Sequence, residues 1–316
     1  MIKTLTLNPA VDKTVVVSRF TVGEVNRISS VRLDAGGKGI NVARVLRRLG
    51  FSTLAVAPVA GSAGRFLASR LAEEDIPSSL LEVEGESRTN LKVVDPALGT
   101  HTDINEPGPS LSPPDLDRLA TILLDDLGPG DVVVFSGSLP AGVPTSLYRD
   151  WITRARARGA FTVLDADGKP FAEGLAGRPD LVKPNRRELE VWAGRSLPSD
   201  ADLLAAVAEL RSAGAASVAV SLGSEGAWLV RAEGAWVAPG LRVEAQSTVG
   251  AGDAFLAALT GALTSGRGPD EALGAAVATA TASVVKPGTG SGDSADIERF
   301  LARVSVRQMI PEENQK

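Results

Sequence analysis

Ser247-Thr248-Val249-Gly250-Ala251-Gly252-Asp253 runs directly into Ala254-Phe255-Leu256-Ala257-Ala258-Leu259, a glycine-paired turn followed by an apolar stretch of good helix formers. Gly250 and Gly252 let the backbone turn sharply and admit a ligand close to the peptide plane, and the Ala/Leu run predicts a helix starting near Gly252. Such a helix start offers free N–H groups and the positive end of the helix dipole, which suit an anion such as a transferring phosphoryl group. Asp253 falls on the first turn. A carboxylate there can accept the proton of an attacking hydroxyl as negative charge builds on the phosphoryl oxygens, or it can do no more than complement the helix dipole.

Outward from this stretch the chain alternates strand and helix. Residues 2–7 read as a first strand and 53–59, 132–135, 161–165, 180–183 and 218–221 as further apolar strands. Helical periodicity covers 40–46 (ended by Gly50), 62–74, 114–127, 144–158, 186–193 and 200–213. This alternation predicts an α/β fold with a mainly parallel central sheet covered by helices on both faces, and ligands at the carboxyl ends of its strands. Two stretches break the rhythm. Val15-Val16-Val17 and residues 27–33 read as strands without a helix between them, and residues 87–105 read as a hairpin around Asp95-Pro96-Ala97-Leu98-Gly99. These four strands predict a small sheet outside the main fold: a discontinuous β-lid of 12–34 and 87–106 on a core of 1–11, 35–86 and 107–316. The polar tail after Arg307 is expected to fray.

With 316 residues and 44% hydrophobic content the chain can bury a large core. It contains no cysteine and one histidine, His101. Disulfide frameworks, thiolate nucleophiles and multi-His zinc sites are therefore excluded, and no hydrolase motif surrounds His101 to support a Ser-His-Asp triad. A net charge of −5 argues against a nucleic-acid or anionic-membrane surface, and no stretch has the length and apolarity of a membrane span. A cytoplasmic protein is expected.

The groups able to carry chemistry fall at the strand ends. Lys38, among Gly36, Gly37 and Gly39 at a helix start, can clamp a phosphate or simply be solvated. The sequence around it is neither a P-loop nor a Gly-x-Gly-x-x-Gly dinucleotide fingerprint. Asn185 and Glu188, three apart at a helix start, suit either a hydrated Mg²⁺ or a capping box. Ser221-Leu222-Gly223-Ser224-Glu225-Gly226 closes a strand as a plain hairpin or as a backbone platform for a nucleotide. Ser138, after the buried strand at 132–135, emerges at the sheet's carboxyl edge or lies in a plain loop.

Together, Asp12, Gly36-Gly37-Lys38-Gly39-Ile40-Asn41, Ser136-Gly137-Ser138-Leu139-Pro140, Lys183-Pro184-Asn185-x-x-Glu188, Ser221-x-Gly223-x-x-Gly226 and Thr248-Val249-Gly250-Ala251-Gly252-Asp253 resemble, in order and spacing, the motif series of the ribokinase-like (PfkB) carbohydrate kinases. The resemblance extends from the first strand to about Gly290. Within that superfamily, Thr6-Leu7-Asn8-Pro9-Ala10-Val11-Asp12 and Gly23-Glu24-Val25-Asn26-Arg27 are similar to the branch of bacterial 1-phosphofructokinases and tagatose-6-phosphate kinases. The resemblance implies a three-layer ribokinase-like fold with a β-lid that also serves as a homodimer interface. It implies Asp253 as catalytic base and Gly250, Ala251 and Gly252 as anion hole. Asp12, Asn41 and the Gly37 backbone are implied to hold sugar hydroxyls. Lys38, Arg27 and Arg88 are implied to surround the substrate's existing phosphate, with Ser138 assisting. Lys183, Asn185 and Glu188 match the nucleotide and Mg²⁺ region, Asn185 and Glu188 being the metal positions. Ser221, Gly223, Gly226 and Thr248 match the ATP platform, and Ala280, Ser283 and Gly288 the adenine enclosure. The minor 6-phosphofructokinase branch has glycine where Lys38 stands, which disfavours that activity.

The resulting expectation is an ATP- and Mg²⁺-dependent kinase of a phosphorylated ketohexose, foremost fructose 1-phosphate giving fructose 1,6-bisphosphate. Three cations facing one small pocket would repel one another unless an anion filled it, so a phosphate monoester is favoured over a free sugar. Tagatose-6-phosphate kinase is the alternative within the class. A catalytically silent sugar-phosphate-binding protein on the same scaffold is the alternative outside it; the intact Gly-Ala-Gly-Asp and Asn-x-x-Glu argue against that. A Rossmann-type dehydrogenase shares the α/β pattern but lacks the glycine fingerprint.

Overall fold

The computed structural model describes residues 1–286 and 292–309. The chain opens with β1 (Ile2–Leu5), β2 (Ala10–Val17) and β3 (Ile28–Gly36), then α1 (Lys38–Arg48), β4 (Thr53–Val59), α2 (Gly61–Glu73), β5 (Ser78–Glu82), β6 (Arg88–Asp95) and β7 (Thr100–Asn105). There follow α3 (Pro113–Leu124), β8 (Val132–Ser136), α4 (Leu147–Ala157), β9 (Phe161–Asp165), α5 (Gly168–Gly174), β10 (Leu181–Val182), α6 (Arg186–Ala193), α7 (Asp200–Ser212) and β11 (Ser217–Ser221). The last part holds β12 (Gly226–Arg231), β13 (Gly234–Pro239), α8 (Ala251–Thr264), α9 (Pro269–Val284), α10 (Ser294–Leu301) and β14 (Arg307–Met309).

The main sheet has the order β14-β13-β12-β11-β10-β9-β8-β1-β4-β5. It is parallel from β11 to β5, while β12, β13 and β14 run antiparallel at one edge. Both faces are covered, and strand alternation shows how. On β8, Val133 and Phe135 enter a core shared with α3, α4 and α7, whereas Val132 and Val134 enter a second core built with α1, α8 and α9. A strand buried on both faces carries apolar residues at every position, which is why Val132-Val133-Val134-Phe135 reads as one continuous run.

β1 sits between β8 and β4, and the chain leaves it in both directions along the sheet. That is a topological switch point, where the loops at the carboxyl ends of neighbouring strands part and leave a crevice. The loops following β1, β8, β9, β10 and β11 all open on this edge. β2, β3, β6 and β7 form the separate four-stranded sheet expected from the helix-free segments, in the order β3-β2-β6-β7. The β2–β6 pair is parallel and the two outer pairs antiparallel. Its satellite core is small, comprising Val15, Val17 and Val93 with Phe20 and Leu91 against them.

Several elements were not legible in advance. β5 is a short outer strand, and α5 is bounded by glycines and contains Pro170, so neither carries a clear period. The expected fraying after Arg307 is corrected for Gln308 and Met309, which with Arg307 pair with Trp236, Ala235 and Val237 of β13, and residues 310–316 lie outside the described residues. The free edge of β13 offers unpaired N–H and C=O groups, and the tail satisfies them. Ser221 to Gly226 is a tight hairpin with β11 and β12 as its arms. Among the described residues no helix is long and apolar enough to cross a membrane.

Candidate active site

α8 begins behind Gly250, whose φ of +79° is left-handed and therefore suited to glycine. No side chain caps this helix. A Ser or Asp at the cap would occupy one of its first amides, so the glycine leaves the N-terminal end open toward the crevice. Asp253, on the first turn, is only 7% exposed. Asn41 of α1 donates from Nδ2 to its Oδ2 at 2.8 Å. Burial pushes the Asp253 carboxyl up to about 6; the nearby Asp165 carboxylate adds to the rise, while Asn41, Lys38 and Lys183 oppose it.

Asp165, the last residue of β9, went unnoticed in the sequence. Its side chain is completely buried, and its Oδ1 receives the ammonium of Lys38 at 3.3 Å and that of Lys183 at 3.4 Å. Ser136 donates to Oδ2 at 3.5 Å. Burial acts to raise the Asp165 carboxyl, but the charges of Lys183 and Lys38 outweigh it and hold the group below the usual range. Asp165 in turn pushes the Lys38 ammonium up, against the effect of burial. Lys38 also lies 4.0 Å from Glu188 Oε1. The Lys183 ammonium stands 3.5 Å from where a Cβ on Gly252 would be, so the missing side chain keeps the path between α8 and Lys183 open.

A second group forms at the root of the small sheet. Asn90 of β6 donates from Nδ2 to Asp12 Oδ1 at 3.0 Å. Arg88 donates from Nε to the Asn8 carbonyl at 3.1 Å. Burial raises the Asp12 carboxyl above its ordinary value. Asn8 Oδ1, which faces Gly108, and Asn90 Oδ1, on the side chain that bonds Asp12, are buried without a hydrogen-bond partner. Asn8 and Asn90 were also missed; an asparagine becomes suggestive only when its environment is known. Gly37, with φ +125°, brings the backbone against Thr6, and a Cβ there would stand 2.7 Å from Thr6 Cγ2. A cavity of about 870 Å³ lies between this sheet and the segment leading to α8; its walls include Asp12, Thr14, Asn90 and Lys92 on one side and Thr248 and Val249 on the other.

The remaining expected residues divide as follows. Asn185 and Glu188 form the capping box of α6: Glu188 N–H donates to Asn185 Oδ1 and Asn185 N–H to Glu188 Oε2, both at 2.9 Å. Asn185 also bridges to Ser221, which ties the two loops together. Among the described residues no group of three or more His, Cys, Asp or Glu can hold a metal ion. Two oxygens at one helix start nonetheless fit Mg²⁺, which keeps several waters and takes its other ligands from phosphates. Ser138, Thr248 and Arg27 are exposed. In α9, the Ser283 hydroxyl is buried and donates to the Ala280 carbonyl at 2.8 Å. Gly288 lies outside the described residues. The expectation that Lys38 joins Arg27 and Arg88 as three cations whose repulsion calls for an anion is corrected for Lys38: the carboxylates of Asp165 and Glu188 already face its ammonium.

Residues 5–296 match the family described as pfkB family carbohydrate kinase. The chain belongs to this family. It is similar to the 1-phosphofructokinase of Escherichia coli strain K12, 38% identical over 97% of this chain and 98% of the relative. It is 43% identical to the 1-phosphofructokinase of Xanthomonas campestris pv. campestris, over 82% of this chain and 83% of that protein. Among solved pfkB-type structures it resembles phosphofructokinase-2 from Escherichia coli in complex with substrates and products, with a TM-score of 0.91 and 33% identity over 96% of this chain and 98% of that one. This protein is thus a carbohydrate kinase with the ribokinase-type fold.

The raised Asp253 carboxyl has a consequence for stability. Its folded pKa lies above the ordinary 3.8, so the folded state gains from the proton at low pH and loses that gain as pH rises through about 6. Asp253→Asn, which removes the charge and keeps an acceptor for Asn41, is expected to stabilise the fold at pH 8 by up to about 3 kcal/mol, and not at pH 4. Urea unfolding at the two pH values checks this; equal effects at both would contradict it.

Proposed function

We propose that the chain transfers the γ-phosphoryl group of ATP to the C6 hydroxyl of fructose 1-phosphate, giving fructose 1,6-bisphosphate and ADP. The observation that carries the chemistry is the buried Asp253 carboxylate, held by Asn41 beside the uncapped start of α8. Asp253 takes the proton of the C6 hydroxyl, whose oxygen bonds to the γ-phosphorus while the bond to the ADP oxygen breaks. The amides of Gly250, Ala251 and Gly252 receive the developing charge. Asp12, Asn41, Asn90 and the Gly37 backbone hold the sugar hydroxyls, and Arg88 and Arg27 meet the standing phosphate, with Ser138 beside them. Lys183, Asn185, Ser221, Gly223, Gly226, Thr248, Ala280 and Ser283 line the path of ATP. Asn185 and Glu188 would hold Mg²⁺, which when bound neutralises phosphate charge. The sugar is favoured by the likeness to 1-phosphofructokinases over nearly the full chain.

We further propose a cytoplasmic homodimer in which residues 12–34 and 87–106 act as both lid and interface. The support is apolar surface on the small sheet. Val31, opposite Val15, and Ile104, opposite Leu91, are each 53% exposed, and Val22 and Val25 in the loop joining β2 to β3 are more exposed still. A lone sheet with such a face is an association surface.

Four outcomes are expected. Comparison of kcat/KM for fructose 1-phosphate, tagatose 6-phosphate, fructose 6-phosphate and free fructose should rank fructose 1-phosphate first, and Asp253→Asn should lower its turnover roughly 10²–10⁴-fold with ATP still bound; a neutral sugar ranking first would overturn the assignment. Arg88→Ala should raise the KM of the sugar phosphate by roughly 10–100-fold and leave that of ATP near normal, the size of one lost charge-assisted contact. Light scattering at micromolar protein should give twice the chain mass, and a fully active monomer would rule out the dimer.

A further inference from the structure

Asp165 touches neither of the two groups assigned to the sugar, yet it is the most completely enclosed carboxylate at the crevice. One of its oxygens serves two ammonium groups, Lys38 from the start of α1 and Lys183 from the loop after β10. These elements come from opposite sides of the sheet's carboxyl edge. Lys183 reaches the open side of Gly252 on α8, and Lys38 extends to Glu188 as well as to Asp165. Without a carboxylate between them the two ammonium groups would repel one another and swing apart on flexible stems. A buried carboxylate that lacked them would be equally costly.

We propose that Asp165 is a positioning residue for phosphoryl transfer: its buried carboxylate holds the Lys38 and Lys183 ammonium groups at fixed points beside the start of α8, where the phosphoryl group passes, so that Lys38 serves the chemical step and not the substrate's standing phosphate. The inference rests on the kinase reading above and adds to it a role for a residue that touches no substrate. Hydrogen-bonded lysines fixed before the reaction need no reorganisation when charge develops, which is the condition for effective electrostatic stabilisation. The groups facing Asp253 are Asp165 from β9, Lys38 and Asn41 from α1, and Lys183 from the β10 loop. Asp165 therefore also sets the charge balance around the base.

The test uses the full chain with fructose 1-phosphate and MgATP. Asp165→Asn keeps the shape and loses the charge. It should lower kcat roughly 10²–10³-fold, leave the sugar-phosphate KM within about threefold, and move the acid limb of the pH profile to lower pH, because the negative neighbour that raises Asp253 is gone. A merely structural residue would lower activity without moving that limb. Lys38→Met should reproduce the kcat loss with little change in the sugar-phosphate KM. Asp165→Asn should cost markedly less in the Lys38→Met background than alone, since the two changes act through one contact. A rise in sugar-phosphate KM for Lys38→Met, additive losses in the double variant, or full recovery of Asp165→Asn at high Mg²⁺ would overturn the proposal. A substrate-free measurement separates it from the choice of sugar. The stabilisation by Asp253→Asn at pH 8 should shrink in the Asp165→Asn background, and an unchanged gain there would count against Asp165 whichever sugar is phosphorylated.

Discussion

Two buried carboxylates of like charge, Asp165 and Asp253, stand close enough at the carboxyl edge of the sheet for each to raise the cost of ionising the other, and the site depends on how that cost is met. Asp165 is met by Lys38 and Lys183 and is held ionised, whereas Asp253 is hydrogen-bonded by the amide of Asn41 and is pushed up to about 6. Different partners thus give two identical side chains different affinities for a proton. The tightly paired one organises cations, and the loosely paired one can take up a proton near neutral pH. Separating those roles requires strands β9 and β10 to end, and helices α1 and α8 to begin, at the same edge, which the parallel sheet provides.

The same geometry explains why glycine is so frequent at this edge. Gly37 brings the backbone of the α1 entry against Thr6, and Gly250 turns the chain into α8 without placing a side chain over its first amides. Each removes an obstacle between a helix start and the crevice. The small sheet contributes from the opposite side. β2 leaves the core directly after β1, and β6 runs parallel to it, so Asp12 and Asn90 come to stand side by side at the mouth. Part of this sheet's apolar surface stays uncovered, which separates it in character from the main sheet, where both faces are filled.

Much of the fold could be read directly from the chain. Apolar runs buried on both faces announced the parallel strands, and the glycine turn before Ala254 announced α8, because these features are local consequences of periodicity and backbone freedom. The four helix-free strands likewise announced a second sheet. Among the elements that escaped notice, which also include β12, β13, α9 and α10, three (β5, α5 and β14) are short or lack a period, and β14 is ordered by a neighbour: it exists because β13 has an edge to fill.

The site divides along the same line. Asp253, the glycines before it and the Asn185–Glu188 pair stood out as residue types at helix starts, since a glycine turn and a carboxylate on a first turn are local patterns, whereas Asn41 and Lys183 were singled out only through the family resemblance. Local spacing could not distinguish a capping box from a metal pair, and both hydrogen bonds of the capping box are made. Asp165 carried no signal at all, being one aspartate at the end of a strand. Its importance comes from the 127 residues that separate it from Lys38 along the chain and the 3.3 Å that separate them in space. The sequence by itself determined which backbone turns and helix starts could form. Only the tertiary structure decided which charges would be buried together, because the energy of a buried charge depends on partners brought from distant parts of the chain.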